Sequence, residues 1–128
     1  MADILEVSVP EDAAEDSFSL QAVFKNQQSG PLRPYLLQQG FGGRRWLAIR
    51  SGKWKYLDHA GSGGNNYEKH PLLKSYALEE TVPGAESQLY DLQADPGETE
   101  NLIRRHPEMA ERLRRQLHDS IDSGRSRP

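Results

Sequence analysis

Four histidines are the side chains of this sequence best suited to metal or proton chemistry: His59, His70, His106 and His118. No two stand at the i, i+4 spacing that places two imidazoles on one helical face for zinc, so solvation or local packing is their expected role. His59 is the one to test for ligand contact, because it ends an aromatic stretch and borders Gly61-Ser62-Gly63-Gly64. A glycine run of that kind can bring backbone N–H groups to an oxyanion. It lacks the Gly-Lys-Ser/Thr ending of a phosphate-binding loop, and a flexible loop is the plainer reading. Asp91, Asp95, Glu98 and Glu100 form an acidic patch. Their spacing does not supply the alternate ligands and closing bidentate glutamate of a calcium loop, which leaves turn and cap chemistry. Arg104, Arg105, Arg112, Arg114 and Arg115 are interleaved with acidic residues and have no neighbouring aromatic for base stacking. They read as a solvated helix face. There is no Gly-x-Ser-x-Gly elbow, so the residues alone assemble no complete catalytic set.

The elements that must position these groups are few, since 128 residues make one small domain or a piece of a larger one. Leu, Ile, Val and Phe together number 26, one residue in five, which predicts a thin core, while a net charge of −3 supplies little force for expansion. With no cysteine, disulfides, thiolate metal sites and a cysteine nucleophile are excluded from this sequence. The charge gives nucleic acid or anionic lipid little reason to bind. No apolar run approaches the roughly 20 residues that cross a bilayer, and Asp3 and Glu6 stand where a signal peptide carries basic and then apolar residues. A soluble chain without nucleic-acid or membrane partners is expected.

Residues 1–31 look like a segment leading in from something longer, with Ile4, Leu5, Val7 and Val9 suited to a strand or a last helical turn. Phe18, Leu20, Val23 and Phe24 form an apolar cluster able to dock as a one- or two-turn helix. Strands are predicted at 35–39, 46–50, 53–58 and 87–92, the middle two joined by a tight turn at Ser51-Gly52. Alternation sends Trp54 and Tyr56 to a buried face and Lys53, Lys55 and Leu57 to a mostly wet one. Residues 65–86 lack a sustained period and form a long surface excursion, a length that in compact domains goes with function or mobility. Asn101 is placed to cap a short helix, and Pro107 opens a second one whose Met109, Leu113, Leu117 and Ile121 make an apolar stripe over 107–121.

Taken together, several segments carry a resemblance. They are Glu15-Asp16-Ser17-Phe18-Ser19-Leu20, Ala48-Ile49-Arg50-Ser51-Gly52-Lys53-Trp54-Lys55, Gly61-Ser62-Gly63-Gly64, and above all Gln88-Leu89-Tyr90-Asp91-Leu92 followed by Asp95-Pro96-Gly97-Glu98-Thr99-Glu100-Asn101-Leu102. In order and approximate spacing the set, spanning about residues 3–120, resembles the C-terminal region of type I sulfatases of the arylsulfatase A family, in the alkaline-phosphatase-like superfamily. The resemblance implies an α+β fold, a small four-stranded antiparallel sheet with a C-terminal helix packed on one face. It divides the chain into a leading segment at 1–31, a sulfatase-like subdomain at 32–122 and a disordered tail at 123–128. It also implies a missing N-terminal catalytic domain as partner, and a sulfated carbohydrate as the class of substrate.

Members of that family are sulfuric ester hydrolases, often periplasmic or secreted, that use a formylglycine made from Cys or Ser in a [Cys/Ser]-x-Pro-Ser-Arg motif, assisted by calcium. This sequence contains neither cysteine nor Ser-x-Pro-Ser-Arg, so formylglycine and calcium are expected only in the missing domain and no catalytic residue carries over. What the resemblance does suggest is a cleft wall, with Gln38, Gln39, Arg44 and His59 as rim residues. Many relatives place histidine near Gln38 and Gln39; a glutamine there keeps hydrogen bonding without a titratable group and so orients substrate instead of moving protons. Two other readings compete. One is a standalone glycan- or protein-binding module using Trp46, Trp54 and Tyr56 or the 61–86 loop, and the other is a nucleic-acid-binding helix over Arg104–Arg115. The fragment reading predicts that the reading frame upstream of Met1 encodes a [Cys/Ser]-x-Pro-Ser-Arg segment; sequencing an open frame there without one would contradict it.

Overall fold

The structure, a computed structural model, describes residues 2–40, 46–61 and 67–126. The chain divides into two compact units, Tyr35–Leu117 and a second made of Met1–Pro34 with His118–Pro128.

The first unit is an antiparallel meander of β1 (Leu36–Gln39), β2 (Leu47–Ser51), β3 (Trp54–Leu57) and β4 (Gln88–Asp91), in spatial order β1-β2-β3-β4. All four strands fall within one residue of their predicted ends. The β2–β3 turn is displaced by one residue: Ser51 stays in the ladder opposite Trp54, and the turn is Gly52-Lys53. Gly52 has φ of +57°, the left-handed value that glycine adopts without strain and that the primed hairpin turn with Gly at its first central position requires.

Register explains the core. Leu37, Ile49, Tyr56 and Leu89 form one row across all four strands. The last three are buried against Ala110, Leu113 and Leu117 of the long helix that begins at Pro107. Met109 flanks this cluster, but Ile121, assigned to the same stripe, is 36% exposed and lies outside it. The reason is geometric: each four-residue step on a helix of 3.6 residues per turn drifts by about 40°, and three steps carry the last side chain off the face. Ala110, Leu113 and Leu117, by contrast, mix three- and four-residue steps and stay aligned.

The opposite face is not the wet surface that alternation in β3 predicts. Ala48, Leu57 and Tyr90 are buried there with Leu92 packed beside them. Lys55, cross-strand from Tyr90, does not extend its ammonium into water; it donates to both carboxylate oxygens of Glu98 at 2.6 and 2.8 Å. The acidic patch thus divides its work. Asp95 accepts the N–H groups of Thr99 and Glu100 at 2.6 and 2.9 Å. Asp91 accepts from Gln93 and pairs with Lys53, which holds its carboxyl below the usual range, and Glu100 pairs with Arg105 at 2.7 Å.

The outer edge of β4 is closed by side chain and backbone together. Leu89 N–H donates to Asn101 Oδ1 at 3.1 Å, and Leu89 C=O accepts from Leu102 N–H at 2.7 Å. Asn101 is 5% exposed; its Oδ1 also accepts Ile103 N–H at 3.1 Å, its Nδ2 donates to Glu80 at 3.3 Å and its N–H donates to Thr81 Oγ1 at 2.8 Å. The buried Gln88 donates to the second oxygen of Glu80 at 2.7 Å. The short helix expected after Asn101 is instead a single turn, closed by Leu102 C=O accepting from Arg105 and His106.

In the second unit, Ala2–Ile4 form a 3-10 turn where a strand or helix end was expected, and α1 (Gln21–Phe24) is one turn long. Leu20, Val23 and Phe24 are exposed. Arg33 lies over the Phe18 ring at 4.6 Å, and Ser126 N–H donates to Asp16 at 3.0 Å. The chain's long helix, α2, runs Pro107–Ser123. Among the described residues no helix is long and apolar enough to cross a membrane.

Two measurements follow. Asn101→Leu leaves the buried N–H of Leu89 and the half-buried N–H of Ile103 without their acceptor, so urea denaturation is expected to show a loss of about 2–3 kcal/mol, with hydrogen-exchange protection of the Leu89 amide falling first. Tyr56 donates to Asp58 at 2.9 Å, and burial, with the Asp58 carboxylate beside it, pushes its phenol up to about 12. Because the unfolded chain ionises this group first, stability is unaffected below the ordinary tyrosine range and falls as pH rises from about 10 to about 12. Phenolate absorbance should show at least one of the five tyrosines ionising late; five coincident titrations would contradict the assignment.

Candidate functional site

The face of the sheet turned away from the helix carries a cavity of about 510 Å³ at the end where β1 stops and β2 starts. Register builds its floor: Gln38, Ala48 and Leu57 occupy one cross-strand row, so a slip of one residue in either ladder would turn these side chains to the helix side. Gln39 and Gly40 continue β1 along the rim, with Trp46 facing them and His59 and Gly61 following β3. Tyr67, His70 and Leu73, from the long excursion, complete the described lining, so part of that segment covers the sheet instead of looping into solvent.

Three of the four rim residues named from sequence, Gln38, Gln39 and His59, therefore line one concavity. Arg44 lies outside the described residues, as do Ser62, Gly63 and Gly64 of the glycine run. Gly61 does line the cavity, with φ of +66°. The sequence reading did not single out Gly40, Lys55, Tyr67 or His70 as site residues, and it offered Trp46 only for the binding-module alternative. The i, i+3 pair Tyr67 and His70 was the signal available, but only the placement of the excursion gives it meaning.

The geometry around Trp46 is tightly specified. Gly40 N–H donates to Trp46 C=O at 2.7 Å, and Asp58 N–H donates to Leu47 C=O at 2.9 Å, which hold the chain on both sides of β2's first residue. A Cβ at position 40 would meet Trp46 Cβ at 3.0 Å and Cε3 at 3.4 Å, so glycine here serves close approach. The Trp46 and His59 rings stack with centroids 5.4 Å apart and planes 21° from parallel. His59 Nδ1 donates to the Ala60 carbonyl at 3.2 Å, the only role open to it opposite an acceptor.

Chemically, this surface offers two side-chain amides, two imidazoles, a phenol and an exposed indole. Its lysine is already neutralised by Glu98. Among the described lining residues there is no carboxylate, serine or cysteine. The other aromatics offered for glycan stacking are committed to the core: Tyr56 is buried, and Trp54 packs against it with the His106 ring at 5.1 Å. Along the helix, Arg114 and Arg115 pair with Glu111.

A four-stranded antiparallel meander with a long helix behind it, and the Gln88–Leu92 and Asp95–Leu102 segments joined through Asn101, define the class: the chain matches the C-terminal part of sulfatases. An N-acetylgalactosamine-6-O-sulfatase of Bacteroides thetaiotaomicron is 31% identical over 128 residues, 99% of this chain and 22% of that protein. A solved 6S-sulf structure from work on the metabolism of multiple glycosaminoglycans by Bacteroides thetaiotaomicron has a TM-score of 0.61 and 31% identity, over 98% of this chain and 23% of that one. A 2-O GAG sulfatase shares the fold at TM-score 0.60 and 19% identity, over 95% and 23% of the two chains. So does a protein solved with its substrate D-glucosamine-2-N,6-O-disulfate, at 0.61 and 20%, over 94% and 22%. No protein-family model matches. The chain spans between a fifth and a quarter of the length of these relatives.

Proposed function

We propose that this chain is the C-terminal subdomain of a sulfatase, that it forms one wall of the substrate cleft for a sulfated carbohydrate, and that alone it does not hydrolyse the ester. The observation that carries the reading is the convergence of Gln38, Gln39 and His59 on one concave face, in a chain 31% identical to an N-acetylgalactosamine-6-O-sulfatase. Amides that both donate and accept suit the hydroxyl and acetamido groups of an amino sugar, and they orient it without exchanging protons.

The formylglycine and calcium that the family implies do not fit the residues present. The sequence has no cysteine and no Ser-x-Pro-Ser-Arg, and among the described residues no group of three His, Cys, Asp or Glu could hold a metal ion. In this reading the attacking group and the cation belong to the catalytic domain, and the contribution of this chain is shape and hydrogen bonding at the cleft. The standalone binding module is the weaker reading, since two of its three aromatics pack in the core.

The test has two arms. Purified chain incubated with N-acetylgalactosamine 6-sulfate should release no sulfate above the buffer control; release with contaminating hydrolases excluded would end the claim of inactivity. In an amide NMR titration with the same sugar, the shifting resonances should be the side-chain amides of Gln38 and Gln39 and the backbone around His59. Shifts confined to other surfaces, or none at millimolar sugar, would remove the cleft-wall role.

A further inference from the structure

We infer that Trp46 is the residue of this cavity that recognises the sugar ring itself, as a stacking platform indifferent to the sulfate. The inference rests on the cleft-wall reading and assigns the specificity within it. Trp46 is 37% exposed, whereas Trp54 packs against the core. Its orientation is set from two sides, by the parallel His59 ring 5.4 Å away and by Gly40, where any side chain would press on Trp46 Cβ and Cε3. An exposed indole with nothing to bind would gain little from being held so closely. Held so, it presents a fixed π surface beside two glutamine amides.

The chemistry of that surface selects its ligand. The face of an aromatic ring is its electronegative part and attracts the electropositive C–H groups that line one side of a pyranose, while it repels an anion. The neighbouring amides meet the hydroxyls at the ring's periphery. Among the described lining residues the one lysine, Lys55, is held by Glu98. The described part of the wall therefore suits the neutral ring better than the charged substituent.

The experiment uses the full chain, whose two tryptophans give two indole N–H resonances, assigned with Trp54→Phe. N-acetylgalactosamine and its 6-sulfate should both shift the Trp46 indole, with dissociation constants within about threefold of each other, and inorganic sulfate should leave it in place. Trp46→Ala should weaken both sugars by about tenfold or more, the scale of a truncated aromatic anchor, while Trp46→Phe should stay within about threefold of the parent chain. Gly40→Ala, which displaces the indole without removing it, should weaken both sugars as well. Thermal melts of each variant separate loss of the ring from loss of the fold. Sugar binding retained in a folded Trp46→Ala chain, with Gln38 and Gln39 still shifting, would overturn this assignment and leave the cleft wall standing. Binding of the sulfated sugar alone, or of free sulfate at the indole, would also overturn it. A chain that binds neither sugar defeats both.

Discussion

The outer edge of β4 is where a loose chain becomes a folded one. A strand at the margin of a sheet leaves alternate N–H and C=O groups unpaired, and here all four residues of β4 are buried, so water cannot readily serve them. Asn101 and Leu102 take both groups of Leu89, and the same Asn101 ties in Glu80, Thr81 and Ile103. Because Glu80 also holds Gln88, the far end of the long excursion, the edge strand and the approach to α2 are joined through one buried carboxamide and one carboxylate. The Asp95–Leu102 segment is therefore an edge closure, in which Asp95 shapes the turn, Glu98 anchors it to Lys55 and Asn101 seals the strand.

That closure divides the sheet into two faces with different tasks. The helix side takes the row Leu37, Ile49, Tyr56 and Leu89 and provides most of the apolar burial in a chain poor in large aliphatics. The other side keeps a smaller apolar cluster near β4 and opens toward β1 as a polar concavity. A thin core is sufficient because only one face must exclude water completely. The face left incomplete is the one that bears the candidate site.

Local pattern made the four strands and the long helix legible, since each is announced by alternation, a turn or an opening proline within a few residues. What depends on distant neighbours was not legible. The burial of Leu57 and Ala48 on the supposedly wet face requires Tyr90 to arrive from a distant strand, β4. Gly40 reads as one more glycine of a flexible turn until Trp46 is placed against it. Gln38 and Gln39 were reached through family resemblance, with no periodicity to mark them, and His59 first through its place beside the glycine run; the i, i+3 spacing of Tyr67 and His70 acquires meaning only when the excursion folds back over the sheet. Ile121 failed for a simpler reason: a strict four-residue repeat departs from a straight helix after two or three turns.

The spacing of the strands along the chain also imposes a sequence of events. The β2–β3 hairpin closes through two residues, Gly52 and Lys53, whereas β3 and β4 are separated by about thirty, a loop whose ends cost about 3 kcal/mol of entropy to bring together. The hairpin can nucleate within microseconds, but the fourth strand gains its cross-strand partners only after that entropy has been met. Until then Tyr56 and Leu57 have one flank open, so during synthesis the protein passes through a stage in which its most apolar hairpin is bare and vulnerable to pairing with the wrong neighbour.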